Sequence, residues 1–284
     1  MTTRISRKLL DMNKLKSFFL GIGSTTAYAI ISAIFMFVPE DVFKRGFVQC
    51  GWDDSLIIIV NRIFLSVFVL IIANILYHLF RKFRKSVTIA DSKSLIMVEY
   101  GDIIKITDGK KVISFDECFT TSVGDRPQEI KPTSICGQYL AEHPIEDMQS
   151  LIQTLGIHST GVSQYNNLPK YESGTLIPKD DFLLMAFAKL DKNGLGKMTY
   201  AQYKDCLNTL WEQIDLYHGT DDVYLPILGS KITRINEALT QQELLDIMIS
   251  SYRLSPKKLK KPFTLHIVCK ERDGFSLNDV FGVE

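Results

Sequence analysis

The chain has 284 residues, 46% hydrophobic and 23% charged, with a formal net charge of +1. Near-neutral charge argues against nucleic acid as the main partner, because phosphate binding leaves a broad basic excess. The five cysteines form no CxxC pair and are odd in number, which suits a reducing cytosol better than a disulfide framework.

The average conceals an uneven distribution. Ser17 to Val38 contains no Asp, Glu, Lys or Arg, and as a helix it spans roughly 33 Å. A cleaved leader is disfavoured because this stretch exceeds an ordinary leader core and Pro39-Glu40-Asp41-Val42 offers no small-x-small cleavage site. Leu56–Phe80 is a second long apolar run, broken by the adjacent pair Asn61 and Arg62, with Arg62 its one Asp, Glu, Lys or Arg. The expectation is a transmembrane hairpin, followed by one soluble domain of ordinary size. Basic residues flank it on one side: Arg4, Arg7, Lys8, Lys14 and Lys16 before, Arg81, Lys82, Arg84 and Lys85 after. The connecting loop instead carries Glu40, Asp41, Asp53 and Asp54 against Lys44 and Arg45. Both termini are therefore expected in the cytoplasm, with everything after Lys85 cytosolic. Gly21 and Gly23 offer either a close-packing face or glycines tolerated in a lipid-supported helix. Arg62 either snorkels to the outer interface or marks a polar pathway, and Asn74 is placed to hydrogen-bond between helices.

The remaining 200 residues alternate strands and helices. Leu95–Glu99, Ile103–Thr107 and Val112–Phe115 read as short apolar runs, with a turn at Asp108-Gly109. Pro132 and Pro144 open two short helical segments, the second closing near Gly156. Phe182–Leu190 is a strand buried on both faces. Thr199 with Gln202, and Thr240 with Glu243, are capping boxes; the first helix ends at Gly219 and the second covers Leu244–Tyr252. Val223–Leu228 and Phe263–Cys269 supply further strands. This order predicts a three-layer α/β domain with a mixed, mostly parallel sheet, whose ligands bind at the carboxyl ends of the strands.

Several constellations carry little chemistry. Asp191 to Gly196 imitates the start of a calcium loop, but Leu195 and Gln202 stand where two ligands belong, so the segment is read as a turn. His143, His158, His218 and His266 lack metal-ligand spacing, and no metal is expected. Cys118 reads as a buried apolar cysteine. Lys257, Lys258, Lys260 and Lys261 form a basic run that either touches anionic lipid or is a solvated loop. Leu228-Gly229-Ser230-Lys231-Ile232-Thr233-Arg234 ends a buried strand with a glycine, hydroxyls and cations, able to cradle a pyrophosphate or to serve as a surface turn.

Val98-Glu99-Tyr100-Gly101-Asp102-Ile103-Ile104 resembles the opening of a macro domain. Phe115-Asp116-Glu117-Cys118-Phe119-Thr120-Thr121 and Ser134-Ile135-Cys136-Gly137-Gln138 are similar to divergent macro domains fused to paired membrane helices in Thoeris anti-phage systems. The resemblance covers essentially the whole chain: a hairpin and basic linker (1–85) and a macro-like nucleotide-sensing domain (86–284). It implies an ADP-ribose derivative as ligand, histidine-linked or cyclic forms included, made by a companion TIR-domain protein. It further implies a homo-oligomer in the bacterial inner membrane that disrupts the bilayer when ligand binds. No catalytic residue and no cofactor are implied.

Carried over residue by residue, Asp102 would accept from the adenine amino group and the Ile103 N–H would bind a ring nitrogen. Thr120, Thr121 and Ser122 would line the distal ribose, and Leu228, Gly229, Ser230, Lys231, Ile232 and Arg234 the diphosphate. Read from its neighbours alone, Asp102 is a turn-capping aspartate. The paired asparagines of hydrolytic macro domains are absent, replaced by Asp116, Glu117 and the Thr-rich turn. That favours binding without turnover, since adjacent strand-end carboxylates point to different sides. The alternatives are a membrane-tethered ADP-ribosyl hydrolase and a constitutive membrane anchor.

Overall fold

A computed structural model describes residues 22–45, 53–91, 93–229, 234–235, 239–271 and 275–280. The chain divides into two compact units, Met1–Arg84 and Lys85–Glu284.

In the first unit, α1 (Ile22–Phe37) and α3 (Asp54–Lys82) flank a one-turn helix α2 (Glu40–Lys44). α3 is 29 residues long and is the helix among the described residues that is long and apolar enough to cross a membrane. α1 is described over 16 residues, and the start of the predicted first span lies outside the described residues. Ala27, Ile31 and Leu70 form the small core between α1 and α3, while Ile63, Phe64, Val67, Phe68, Ile71 and Leu76 face outward. Arg62 does not stand alone in the apolar run. Its guanidinium pairs with Glu40 at 3.3 Å and lies over the rings of Phe35 and Phe43, at 5.5 and 5.1 Å. Neighbouring Asn61, buried, donates to the Phe43 carbonyl at 2.9 Å. These contacts gather the polar groups at the α2 end of the helices. Asn74 donates to the Leu70 carbonyl of its own helix at 2.8 Å.

The second unit begins with the hairpin β1 (Ser86–Ala90) and β2 (Leu95–Tyr100), followed by β3 (Lys110–Asp116), α4 (Ile135–Glu142) and α5 (Met148–Thr154). Then come β4 (Gly161–Val162), β5 (Pro169–Lys170), β6 (Leu176–Lys179), β7 (Phe182–Leu190), β8 (Gly196–Met198) and α6 (Tyr200–Tyr217). β9 (Val223–Pro226), β10 (Arg234–Ile235), α7 (Gln241–Leu254) and β11 (Thr264–Cys269) complete it. Among the described residues the main sheet has nine strands in the order β1-β2-β11-β9-β3-β7-β8-β10, with β6 also on β7. β2, β11, β9, β3 and β7 run parallel; β1 on β2 and β6 on β7 are antiparallel. The sheet is thus mixed and mostly parallel, with helices on both faces. α6 and α7 cover one core with Trp211, Leu210, Leu245 and Met248 against Val98, Leu225 and Ile267. α4 and α5 cover the other with Tyr139, Leu140 and Ile152 against Ile113, Phe115 and Leu184.

Local chemistry explains most boundaries. Both capping boxes form, at Thr199–Gln202 and Thr240–Glu243, and Gly219 follows α6 at φ +64°. The two helices expected after Pro132 and Pro144 start slightly later, at the caps Ser134 and Asp147. The strand expected at Ile103–Thr107 is instead a single 3-10 turn, Ile103–Lys105, because the Asp102 side chain captures the Ile104 N–H and closes the chain on itself. The calcium-loop imitation is a turn. Asp191 accepts from the N–H groups of Asn193 and Leu195 at 2.9 and 3.0 Å and pairs with Lys197 at 2.7 Å. Lys197, above all, holds its carboxyl down at about 2. No group of three or more metal-ligating side chains occurs among the described residues.

Candidate functional site

Four neighbouring parallel strands end at one edge of the sheet. Cys269 lies opposite Tyr100, Pro226 opposite Val268, and β3 joins β9 through Lys110–Val223 and Lys111–Tyr224. The segments that follow β2, β9 and β3 therefore share that edge. They are Gly101-Asp102-Ile103, the loop from Leu228-Gly229, and the turn from Asp116 to Ser122. From β2 to β3 is three interstrand steps, roughly 14 Å.

The first segment is held closely. The Gly101 N–H donates to the Cys269 carbonyl at 2.9 Å, and a Cβ on Gly101 would meet Val268 Cγ1 at 3.2 Å. Asp102 uses Oδ1 to accept from Ile104 N–H at 3.3 Å and is half-buried at the edge. Ile103 is buried, with its side chain turned into the domain.

The second segment opens with Leu228, buried and fixed on both sides of its peptide. Tyr203 donates its hydroxyl to the Leu228 carbonyl at 3.2 Å, and the Leu228 N–H points at the Met248 sulfur at 3.4 Å. Gly229 takes φ +81°, a left-handed conformation that turns the chain away from the strand direction. Ser230, Lys231 and Ile232 lie outside the described residues; of Arg234 only the backbone, in β10, is described.

The third segment is built around Asp116. Half-buried, it accepts from the Cys118 N–H at 2.8 Å, the Thr120 N–H at 3.3 Å and the Thr120 hydroxyl. Burial pushes its carboxyl up from the ordinary value, against those three hydrogen bonds. Between the anchored residues, Phe119 has φ 53°, a left-handed geometry costly for a bulky side chain. It is held there by burial between Phe115 and Tyr171, ring centroids 5.9 and 5.5 Å away. Thr120 thus turns its hydroxyl proton inward, while Thr121 and Ser122 remain accessible on the rim. The Ser122 carbonyl accepts from the Ile130 N–H at 2.9 Å.

Glu117, adjacent in sequence, points elsewhere: it is buried, accepting from Ser163 Oγ at 2.7 Å and from the Leu190 N–H at 3.1 Å. Cys118 is buried, and burial pushes its thiol up to about 12, so it carries no thiolate at neutral pH. Asp116 and Glu117 do not converge on a common point, and each is already committed to backbone donors. The turn is backed by α4, whose Gly137 brings the helix against the preceding loop: a Cβ there would stand 2.2 Å from the Lys131 carbonyl oxygen. His266, on β11, is satisfied by Glu99 at 2.8 Å and by stacking on Tyr224 at 4.2 Å.

Two clefts lie away from this edge. One of about 350 Å³, lined by Asp108, Asp222 and Phe263, sits at the opposite ends of the parallel strands. The other, about 760 Å³, separates α6 from α7. Sequence reading named the Asp102 and Gly229 segments as candidates and weighed Asp116 with Glu117 as a disfavoured catalytic pair. It did not find Asp116 as the anchor of the third segment, because that role depends on the left-handed Phe119, which no local pattern signals.

Residues 96–270 match the family described as "Thoeris protein ThsA, Macro domain". The chain is similar to the curated "Thoeris protein ThsA" of Bacillus amyloliquefaciens (strain Y2), 28% identical over 207 residues, covering 69% of each chain. Among solved structures it is similar to a point mutant of the Oceanobacillus iheyensis macrodomain, with TM-score 0.43, 11% identity and 69% and 92% of the two chains covered. It is also similar to that macrodomain with ADP, with TM-score 0.44, 10% identity and coverage of 68% and 90%.

Proposed function

Because this chain belongs to the Thoeris ThsA macro-domain family, we propose that its second unit binds an ADP-ribose-type signal at the Asp102 edge without turning it over. Asp102 takes the adenine amino group, the Ile103 N–H a ring nitrogen, and the loop from Leu228 through Arg234 the diphosphate. Thr120, Thr121 and Ser122 face the distal ribose. The observation that supports this most is the placement of the three segments on one edge of four parallel strands, about 14 Å across. Binding rather than hydrolysis is favoured because both candidate bases, Asp116 and Glu117, are engaged with backbone donors.

The wider reading is an anti-phage effector anchored in the bacterial inner membrane, both termini cytoplasmic. A TIR-domain partner supplies the ligand, and binding makes several copies disrupt the bilayer. α3 is the described element that supports the anchoring.

The test is calorimetric titration of the full chain in nanodiscs with ADP-ribose and its histidine-linked and cyclic derivatives, beside Asp102→Ala. Losing one hydrogen bond to a charged acceptor should weaken binding about 10- to 150-fold. No heat with any of these nucleotides would end the reading, and release of free ADP-ribose from a modified protein would favour the hydrolase instead.

A further inference from the structure

The second unit carries a basic patch that the nucleotide site does not use. α7 ends in Arg253 and Leu254, and the loop after it contains Lys257, Lys258, Lys260 and Lys261. The fold adds a cation from elsewhere, because the Lys261 N–H donates to the Lys93 carbonyl at 3.2 Å and draws the β1–β2 turn alongside. Among the described residues, Asp215 reaches Lys257 at 3.8 Å and Asp91 reaches Lys258 at 3.7 Å, and Glu212 and Asp246 line the cleft beside Leu254. Lys258 also donates to the Arg253 carbonyl, bending the loop back over the helix end. At the end of the helix, before the loop, is Leu254, 85% exposed, the most exposed large hydrophobic side chain among the described residues of this unit. Leu259, between the lysines, is fully buried and fixes the loop beneath them. A protruding leucine at the end of the helix that leads into this basic loop is poorly suited to water alone. Anionic headgroups would meet the charges, and the interface below them the leucine.

We propose that this patch is a second, peripheral membrane contact, by which the domain lies against an anionic bilayer. Charge complementarity selects the occupant. So does reach: β1 runs from the residues that enter the domain, Lys85 and Ser86, to the turn holding Lys93, so the patch is about 17 Å from that entry. The candidate nucleotide site sits at the other ends of the parallel strands. The inference rests on the reading that α3 anchors the chain in a bilayer.

The test uses the full chain in a Cys50→Ser background, since Cys118, Cys136, Cys206 and Cys269 are buried. Leu254→Cys is labelled with an apolar fluorophore that stands in for the leucine. The protein is reconstituted into phosphatidylcholine vesicles with or without phosphatidylglycerol, both carrying headgroup-nitroxide lipid. Strong quenching with phosphatidylglycerol, weak quenching without it and reversal by high salt are expected. Lys257→Glu, Lys260→Glu and Lys261→Glu should each lower the docked-to-free ratio on the order of fivefold. A label that stays in water in both lipids overturns the proposal, as does one shielded from water without lipid quenching, the mark of a macromolecular partner. Sedimentation with neutral vesicles reports anchoring separately; a chain that does not sediment overturns anchoring and this inference together.

Discussion

Asp116 is the residue around which the third segment of the candidate site is built. Its carboxylate holds two backbone N–H groups and a hydroxyl within four residues. Asp116→Ala leaves those amides without an acceptor, at about 1–3 kcal/mol each. Asp116→Asn keeps an acceptor oxygen and should retain the turn. Their pH dependence separates further. In the folded state the carboxyl titrates above its ordinary value of 3.8, burial being the main cause. The folded protein therefore binds more protons than the unfolded one as pH rises above that value. Its contribution is full below 3.8 and is lost as pH climbs through the raised value. Relative to wild type, Asp116→Asn should gain stability from acid to neutral pH in denaturant titrations. A constant difference across that range would mean that Asp116 is solvated. Asp102 was legible from sequence because a Gly-Asp turn is a local signal. Asp116 was legible only as a charge, since its hydrogen bonds depend on a turn that the buried Phe119 closes against Phe115 and Tyr171.

Elements with strong local punctuation were found within a residue or two, and those defined by partners were not. α6 and α7 declare themselves by capping boxes, and β7 by a nine-residue run in which Lys189 alone is not apolar. β1, β6 and β8 are five, four and three residues long, and exist because β2 and β7 offer them an edge to pair with. The Ile103 turn was misread as a strand because apolar content cannot reveal a side chain capping a neighbouring amide. Two changes test this account. Thr199→Ala removes the cap of α6 and should cost about 1 kcal/mol. Gly137→Ala should cost more, about 1–3 kcal/mol, because its Cβ would collide with the Lys131 carbonyl, a backbone atom that cannot swing aside. The strain in Gly137→Ala should also weaken nucleotide binding, since α4 packs Cys136 and Tyr139 behind the Asp116 turn. Equal melting shifts for the two variants would mean that the close approach at Gly137 relaxes freely.

At the scale of the whole molecule, the chain enters the second unit at the edge that carries the candidate site. Ser86 lies opposite Glu99, and the Tyr100 N–H holds the Lys85 carbonyl at 3.0 Å, two residues before Asp102. A ligand that ordered Gly101-Asp102-Ile103, as proposed, would therefore act on the strand pair through which the chain enters the second unit. Coupling can go no further than the ligand's preference between two states. To move an assembly equilibrium from about 1:99 to 99:1 requires about 10⁴-fold tighter binding to the assembled form. One or two helices per chain cannot enclose a pore, so any leak must come from several copies. Two dependences follow for dye-loaded vesicles carrying the full chain. Release should rise steeply with the protein-to-lipid ratio at fixed ligand. At fixed protein, Asp102→Ala should shift the ligand response to higher concentration by the factor that it loses in affinity, while reaching the same plateau. Leak of equal size with and without ligand would sink the coupling, and leak linear in protein would sink the assembly. A lower plateau at saturating ligand would instead place Asp102 in the transmission from site to bilayer, through Tyr100 and Lys85.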